Sequence, residues 1–145
     1  MNSPQRPRPV VDALTAPFWQ AVSNHQLVVQ RCASCETWQH PPRIRCHCCG
    51  STQALSYKEV TGYGRIVTWT RVYQSLIAGF EDSVPYFNVI VELDEQSGLC
   101  MVTDLQGDLL AFEAKLNVGA QMKVVFEEVA TDFTLPQFRF LEGAE

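Results

Sequence analysis

The hydrophobic pattern divides the chain into a short helical start and a longer β-rich remainder. Within residues 12–30, Phe18, Trp19 and Val22 are spaced so that they fall on one side of a helix. Residues 27–31 (LVVQR) then switch to side chains that are typical of strands. We therefore predict a helical segment over residues 12–30, with strand character at its end.

From residue 54 onward, apolar and polar positions alternate as they do in strands. The predicted main strands are residues 55–60, 65–73, 86–93, 99–105 and 121–129, and a short extended piece follows at 135–140. Short connections between five strands fit a small, partly open antiparallel barrel or a sandwich. A turn element before the last main strand favours an OB-like barrel.

Two stretches interrupt or precede this pattern. Residues 1–10 contain three prolines and read as a flexible leader. Residues 31–52 are rich in cysteine and carry few bulky apolar residues besides Trp38 and Ile44. So small a segment cannot bury enough apolar surface to fold alone, so we expect a bound metal to stabilise it.

The spacing of the cysteines predicts the ligands of that metal. Cys32 and Cys35 form one C-x2-C pair, and Cys46 and Cys49 form a second pair after ten intervening residues. Two such turns can direct four sulfurs at one point and close a tetrahedron. Cys48 would give a spacing of one residue, and we read it as a non-ligand.

The type of ligand indicates the metal and its role. Four-thiolate structural sites are most often zinc sites, although iron can take the same ligands. Four cysteines leave no open position for water or substrate, so we expect one structural zinc ion per chain. His40 and His47 lie close to the cysteines in sequence and are expected outside this complete shell.

Composition narrows the possible functions. The chain has 145 residues, 46% hydrophobic and 19% charged, which is a globular balance for one domain or two small ones. The formal net charge of -5 repels polyanions and argues against general nucleic-acid binding. Arg31, Arg43 and Arg45 nevertheless cluster around the cysteines.

The termini and thiols bear on location. The polar, proline-rich start lacks the apolar stretch of a signal peptide, and no apolar run is long enough to span a bilayer. We expect a cytoplasmic protein, where thiols stay reduced and serve as metal ligands rather than as disulfides.

No convincing catalytic constellation is found in the sequence. The three histidines, His25, His40 and His47, all precede the β-rich part, where a cleft would form. Cys100 lies in the middle of a predicted strand, as a buried and inert thiol would. The sequence GYGR at 62–65 is too short for a dinucleotide fingerprint and reads as a bend into a barrel strand.

The order of the motifs resembles a known family. FW at 18–19, LVVQRCASC, PPRIRCHCCGS, GYGRIVTWTRV, PYFNVIVELDE, VGAQMKVVFEE and LPQFRF follow one another over most of the chain. This order resembles the zinc-ribbon/OB-fold proteins found beside thiolases and lipid-transfer-type thiolase homologues, long filed as a domain of unknown function. The resemblance implies a leader and helix over 1–30, a rubredoxin-like zinc ribbon over 31–52 and an OB-fold domain over 53–145.

The same resemblance implies a non-catalytic role, as an acyl-CoA-binding protein or as the accessory subunit of a thiolase-like enzyme. A CoA thioester would need a phosphate contact and a surface for its adenine, for which the candidates are Arg43, Arg45, Arg65 and Trp69. Two alternatives stay open. One is a single-stranded nucleic-acid-binding protein, and the other is a thioester-processing enzyme in its own right.

Overall fold

The computed structural model describes residues 6–141 of the chain. Its elements, in chain order, are α1 (Ala16–Ser23), β1 (Val28–Cys32), β2 (Trp38–Gln39), β3 (Leu55–Glu59), β4 (Tyr63–Val72), β5 (Tyr86–Leu93), β6 (Cys100–Asp104), α2 (Leu109–Phe112), β7 (Gln121–Ala130) and β8 (Phe133–Phe140). Neither of the two α-helices in the described part is long and apolar enough to cross a membrane.

The predicted flexible leader lies partly outside the described residues, since positions 1–5 are not among them. The described part, residues 6–10, has no regular secondary structure but is held against the barrel. The Arg6 guanidinium donates to the Ser83 hydroxyl at 2.8 Å, and Arg8 donates to both carboxylate oxygens of Asp132 at 2.9 Å. These exposed or half-exposed contacts fix the path of the leader more than they stabilise the fold.

Helix α1 is shorter than the predicted segment 12–30. The helix ends at Ser23, and the Asn24 N–H closes its last turn by donating to Ala21 O at 2.9 Å. His25 then adopts a left-handed backbone with φ of 58°, which no helix can continue. The hydrophobic spacing itself is confirmed, because Phe18 and Val22 are buried and Trp19 is half-buried beside them.

The first sheet has three strands in the order β2-β1-β3. β3 corresponds to the predicted strand 55–60, so the strand itself is confirmed. The prediction that this strand belongs to the barrel is wrong, because β3 lies in the three-stranded sheet. It pairs antiparallel with β1, from Val28↔Glu59 to Cys32↔Leu55. The reason is that apolar alternation indicates a strand but not its partner, and β1 presents a free edge that β3 covers.

The second sheet has five antiparallel strands in the order β6-β5-β4-β7-β8. β5 shows the strict inward–outward alternation that its sequence predicts. The predicted short piece at 135–140 is in fact the end of β8, an eight-residue strand paired with β7 from Met122↔Phe140 to Ala130↔Phe133. The barrel therefore has the predicted number of five strands, but the fifth strand is β8 and not residues 55–60.

The two edge strands, β6 and β8, meet and partly close the barrel. Leu105 and Phe138 form an isolated parallel bridge, and the Gln106 N–H donates to Phe138 O at 2.8 Å. Buried Gln137 extends this contact, because its Oε1 accepts from the Thr103 hydroxyl at 2.6 Å and from the Asp104 N–H at 2.9 Å. The result is an OB-like barrel with an incompletely closed seam between β6 and β8.

One hydrophobic core joins the helix, the first sheet and the barrel. Phe18 and Val22 of α1 belong to the same buried cluster as Val29 of β1 and Met122 and Phe138 of the barrel. Trp19 packs against the ring of Phe133 on β8, with 5.2 Å between ring centroids. The two adjacent aromatic residues of α1 are thus used largely within the chain itself.

Candidate metal centre

Four thiols converge at one end of the three-stranded sheet. The Sγ atoms of Cys32, Cys35, Cys46 and Cys49 all lie within 4.8 Å of one another. The Sγ atoms of Cys32 and Cys49 are 3.6 Å apart, and the Sγ atoms of Cys35 and Cys46 are also 3.6 Å apart. Zn–S bonds of about 2.3 Å place the sulfurs of a regular tetrahedron about 3.8 Å apart, so the thiols fit a zinc ion.

Two similar turns position these thiols. In the first turn the Glu36 N–H donates to Cys32 O at 2.8 Å, and in the second the Gly50 N–H donates to Cys46 O at 3.0 Å. Glu36 and Gly50 occupy the same left-handed conformation, with φ of 63° and 77°. Glycine adopts this conformation without strain, whereas a residue with a Cβ is strained by roughly 1–2 kcal/mol. Glu36 therefore strains the backbone of the first turn, whereas Gly50 leaves the second turn unstrained.

Hydrogen bonding and the crowding of the thiols shift their pKa values in opposite directions. Hydrogen bonds from the side chain and backbone of Thr37 lower the pKa of Cys35 to about 6. At Cys49 a backbone hydrogen bond from Ser51 lowers the pKa, but the neighbouring thiols, Cys32 first, outweigh it and raise the pKa to about 12. Four crowded thiolates repel one another, so full ionisation at neutral pH requires a positive ion among them.

The other thiols and the nearby histidines lie outside this cluster. Cys48 is exposed and does not join the four converging sulfurs. His47 contacts Gln39 through Nδ1 at 3.0 Å, and His40 packs beside the Phe18 ring at 5.9 Å. Cys100 is half-buried rather than buried, and burial, followed by the charge of Glu92, raises the pKa of its thiol.

Two buried glutamines, which the sequence analysis missed, support the chain between the two cysteine pairs. Gln30 donates through Nε2 to Arg43 O at 2.9 Å and accepts through Oε1 from the Arg43 N–H at 2.9 Å. Gln39 accepts through Oε1 from the His47 N–H at 3.1 Å. Both side chains are only 4% exposed. Buried amides that make several hydrogen bonds rigidify their surroundings, so the segment 43–47 is held in one conformation.

The four candidates for a CoA contact do not form one site. Arg43 and Arg45 are exposed and line a shallow depression beside the second cysteine pair. Arg65 lines a separate cavity of about 100 Å³ near Asp94. Trp69 is half-buried and packs against the barrel core. Of the predicted set, only the two ribbon arginines are brought together.

Family models match both parts of the chain. The model described as "ChsH2, rubredoxin-like zinc ribbon domain" matches residues 19–55, and "ChsH2, C-terminal OB-fold domain" matches residues 57–127. The chain belongs to the ChsH2 family. Membership confirms the predicted resemblance and the fold of a short N-terminal helix, a zinc ribbon and an OB-fold barrel.

Individual relatives agree with the family. The chain is similar to a solved chain of the "Ltp2-ChsH2(DUF35) aldolase", with 32% identity, a TM-score of 0.79, and coverage of 92% of this chain and 98% of that one. A DUF35-family protein of unknown function from Sulfolobus solfataricus matches over 90% of this chain and 87% of its own, with 14% identity and a TM-score of 0.60. At that identity the second match shows the fold alone.

A curated relative is longer than this chain. It is the "Probable enoyl-CoA hydratase alpha subunit" of Thermomonospora curvata, 34% identical over 134 residues. The match covers 92% of this chain but 40% of the relative. The chain therefore spans about two fifths of the length of that protein.

Proposed function

We propose that this ChsH2-family chain is a non-catalytic accessory subunit of an enzyme that acts on CoA thioesters. The observation that carries the proposal is the match to a chain of the Ltp2-ChsH2(DUF35) aldolase, because the similarity extends over 98% of that chain at 32% identity and this chain itself matches the ChsH2 family models. The link to CoA thioesters is supported by the relative named as a subunit of an enoyl-CoA hydratase. For the partner, we propose a thiolase-like enzyme.

The metal has a structural role in this proposal. Cys32, Cys35, Cys46 and Cys49 bind one zinc ion, and the ion links the end of β1 to the second cysteine turn. Four thiolates fill a tetrahedral shell, so the ion stabilises the ribbon and offers no position to a substrate. The ribbon and the barrel share one core, so the ion also fixes the surface that a partner would meet.

Purification of the tagged full-length chain from its native cells at low salt tests the accessory role. We expect an enzyme of CoA-thioester metabolism, thiolase-like in sequence, to co-purify in a fixed ratio. Mass spectrometry identifies the partner, and an unrelated tagged OB-fold protein serves as the control. Recovery of single-stranded nucleic acid in place of an enzyme, released by moderate salt, would support the alternative function.

A CoA thioester contact is the second part of the proposal, and Arg43 and Arg45 are its residues. Their exposed guanidinium groups lie on one rigid turn and can pair with the phosphates of CoA. We expect the double variant Arg43→Ala/Arg45→Ala to bind acetyl-CoA at least tenfold more weakly in calorimetric titration of the purified complex.

Arg139→Ala is a matched control for this titration, because it removes an exposed arginine from β8, away from the ribbon. Equal acetyl-CoA affinity in the wild type, the double variant and the control would show that Arg43 and Arg45 do not contact CoA. It would leave the accessory role intact.

A further inference from the structure

A cavity of about 340 Å³ opens where the barrel seam is incomplete. α1 and the ribbon form one side of it, and β6 and β8 form the other. Its apolar wall includes Phe18, Trp19 and Leu135, and its polar lining includes Asp104 and Asn88. The volume lies within the range of sites that take a small molecule or a single large side chain.

Asp104 is the charged group of this cavity, and no cationic side chain in the described part of the chain lies against it. Its Oδ1 accepts one hydrogen bond, from the Asn88 amide at 3.1 Å. Within residues 6–141, no lysine, arginine or histidine forms an ion pair with it. Burial raises the pKa of Asp104, and the more distant charges of Glu127 and Arg6 oppose each other. A half-buried carboxylate of this kind gains most from a cation that enters the cavity.

The remaining lining also suits a cation. The ring of Trp19 can lie against a planar cation, and aromatic faces attract guanidinium groups. His40 does not supply the missing charge, because burial lowers its pKa and keeps the imidazole neutral at neutral pH. Thr103 and Gln137 are bonded to each other at the floor. Their polar groups are therefore already paired, and neither forms a hydrogen bond with the carboxylate of Asp104.

The position of the cavity indicates the form in which a cation would arrive. β6 is an edge strand that contacts β8 at its Asp104 end, where the Asp104 N–H donates to Gln137 Oε1, whereas Val102, farther along the strand, is 66% exposed. Edge strands accept extended segments of other chains through backbone hydrogen bonds. A segment lying along β6 would pass the mouth of the cavity and could place a side chain in it.

We propose that this cavity binds an arginine side chain of the partner subunit, with its guanidinium paired to Asp104 and stacked on Trp19. Arginine fits better than lysine because a planar guanidinium can both stack on an aromatic ring and donate two parallel hydrogen bonds to one carboxylate. The inference extends the proposed accessory role, because it assigns a contact within the interface between the two subunits.

The test uses two small probes on the full-length, zinc-bound protein. Nα-acetyl-arginine methylamide is titrated into it, and the matched Nα-acetyl-citrulline methylamide, of the same shape without the charge, is the control. The NMR signals of the Trp19 indole N–H and the Asn88 side-chain amide report binding in the cavity. We expect saturable shifts with the arginine probe, and binding at least tenfold weaker with the citrulline probe.

Two variants complete the test. Asp104→Asn should weaken arginine-probe binding at least tenfold, whereas Asp82→Asn, which neutralises an exposed acid of the β4–β5 loop, should leave it unchanged. The pKa of Asp104 is raised in the folded state, so the carboxylate opposes folding above about pH 4. Asp104→Asn should therefore unfold at no lower temperature than the wild type, which separates lost binding from lost structure.

Either of two results would overturn the cavity assignment. One is equal binding of the arginine and citrulline probes, and the other is unchanged binding in Asp104→Asn. Partner capture by the same two variants separates this inference from the proposed function. Capture that is equally strong for both variants rejects the arginine contact alone, whereas failure of the wild type to capture any enzyme rejects the accessory role.

Discussion

Replacement of Cys46 by serine will abolish stoichiometric zinc binding and unfold the ribbon. Cys46 is 1% exposed, and its sulfur lies 3.6 Å from that of Cys35. Loss of one thiolate leaves three ligands and an open position, and structural zinc sites of this size supply about 10–16 kcal/mol to peptides that are unfolded without metal. Elemental analysis should find about one zinc per wild-type chain and far less in the variant.

Hydrogen exchange locates the effect of this substitution. The amides of residues 33–50 should lose protection in Cys46→Ser, while the barrel strands β4 and β5 keep most of theirs, because their ladder does not include the ribbon. Cys48→Ser is the matched control, since Cys48 is an exposed neighbour outside the sulfur cluster. Equal zinc loss in both variants would contradict the assigned ligand set.

Phe138→Ala is expected to lower the free energy of unfolding by about 3–5 kcal/mol, the range found for large aromatic side chains removed from cores. Phe138 is 0% exposed, lies in the core shared by helix, ribbon and barrel, and forms the bridge with Leu105 that joins the barrel edges. The substitution therefore leaves a cavity at the point where the seam closes. Urea denaturation followed by tryptophan fluorescence measures the change.

Val102→Ala is the control for this measurement, because Val102 lies on the neighbouring edge strand and is 66% exposed. A surface substitution of this kind should change the unfolding free energy by no more than about 0.5 kcal/mol. A loss in Phe138→Ala as small as that in Val102→Ala would show that the Phe138 side chain is not packed in the shared core.

Local chemistry made part of the fold predictable. Each cysteine turn is specified within a few residues, so the spacing of Cys32, Cys35, Cys46 and Cys49 was enough to predict which thiols converge. Strict alternation likewise predicted β5, whose boundaries agree with the predicted strand 86–93. Where a pattern depends only on neighbours in sequence, it can be read without the fold.

Longer-range choices were not predictable in the same way. The sheet that β3 joins depends on which edge is free, and the end of α1 depends on the left-handed conformation of His25. Gln30 and Gln39 carry no distinguishing signal in the sequence, because their importance comes from backbone groups 13 and 8 positions away. No spacing rule marks such a contact in advance.

The candidate ligand residues show the same limit. Arg43 and Arg45 are near in sequence and line the same depression. Arg65 and Trp69 lie on β4, where Arg65 lines a separate cavity and Trp69 packs against the core. The lining of the cavity at the barrel seam could not be read from the sequence. It is formed by α1, the ribbon and two edge strands, which only tertiary packing brings together.

Native mass spectrometry of the tagged chain purified from its own cells tests the central claim most directly. We predict an assembly in which each copy of the chain carries one zinc ion and is bound to a subunit of a CoA-thioester enzyme. A particle that contains only this chain, with or without zinc, under conditions that preserve other enzyme complexes from the same cells would contradict the accessory role.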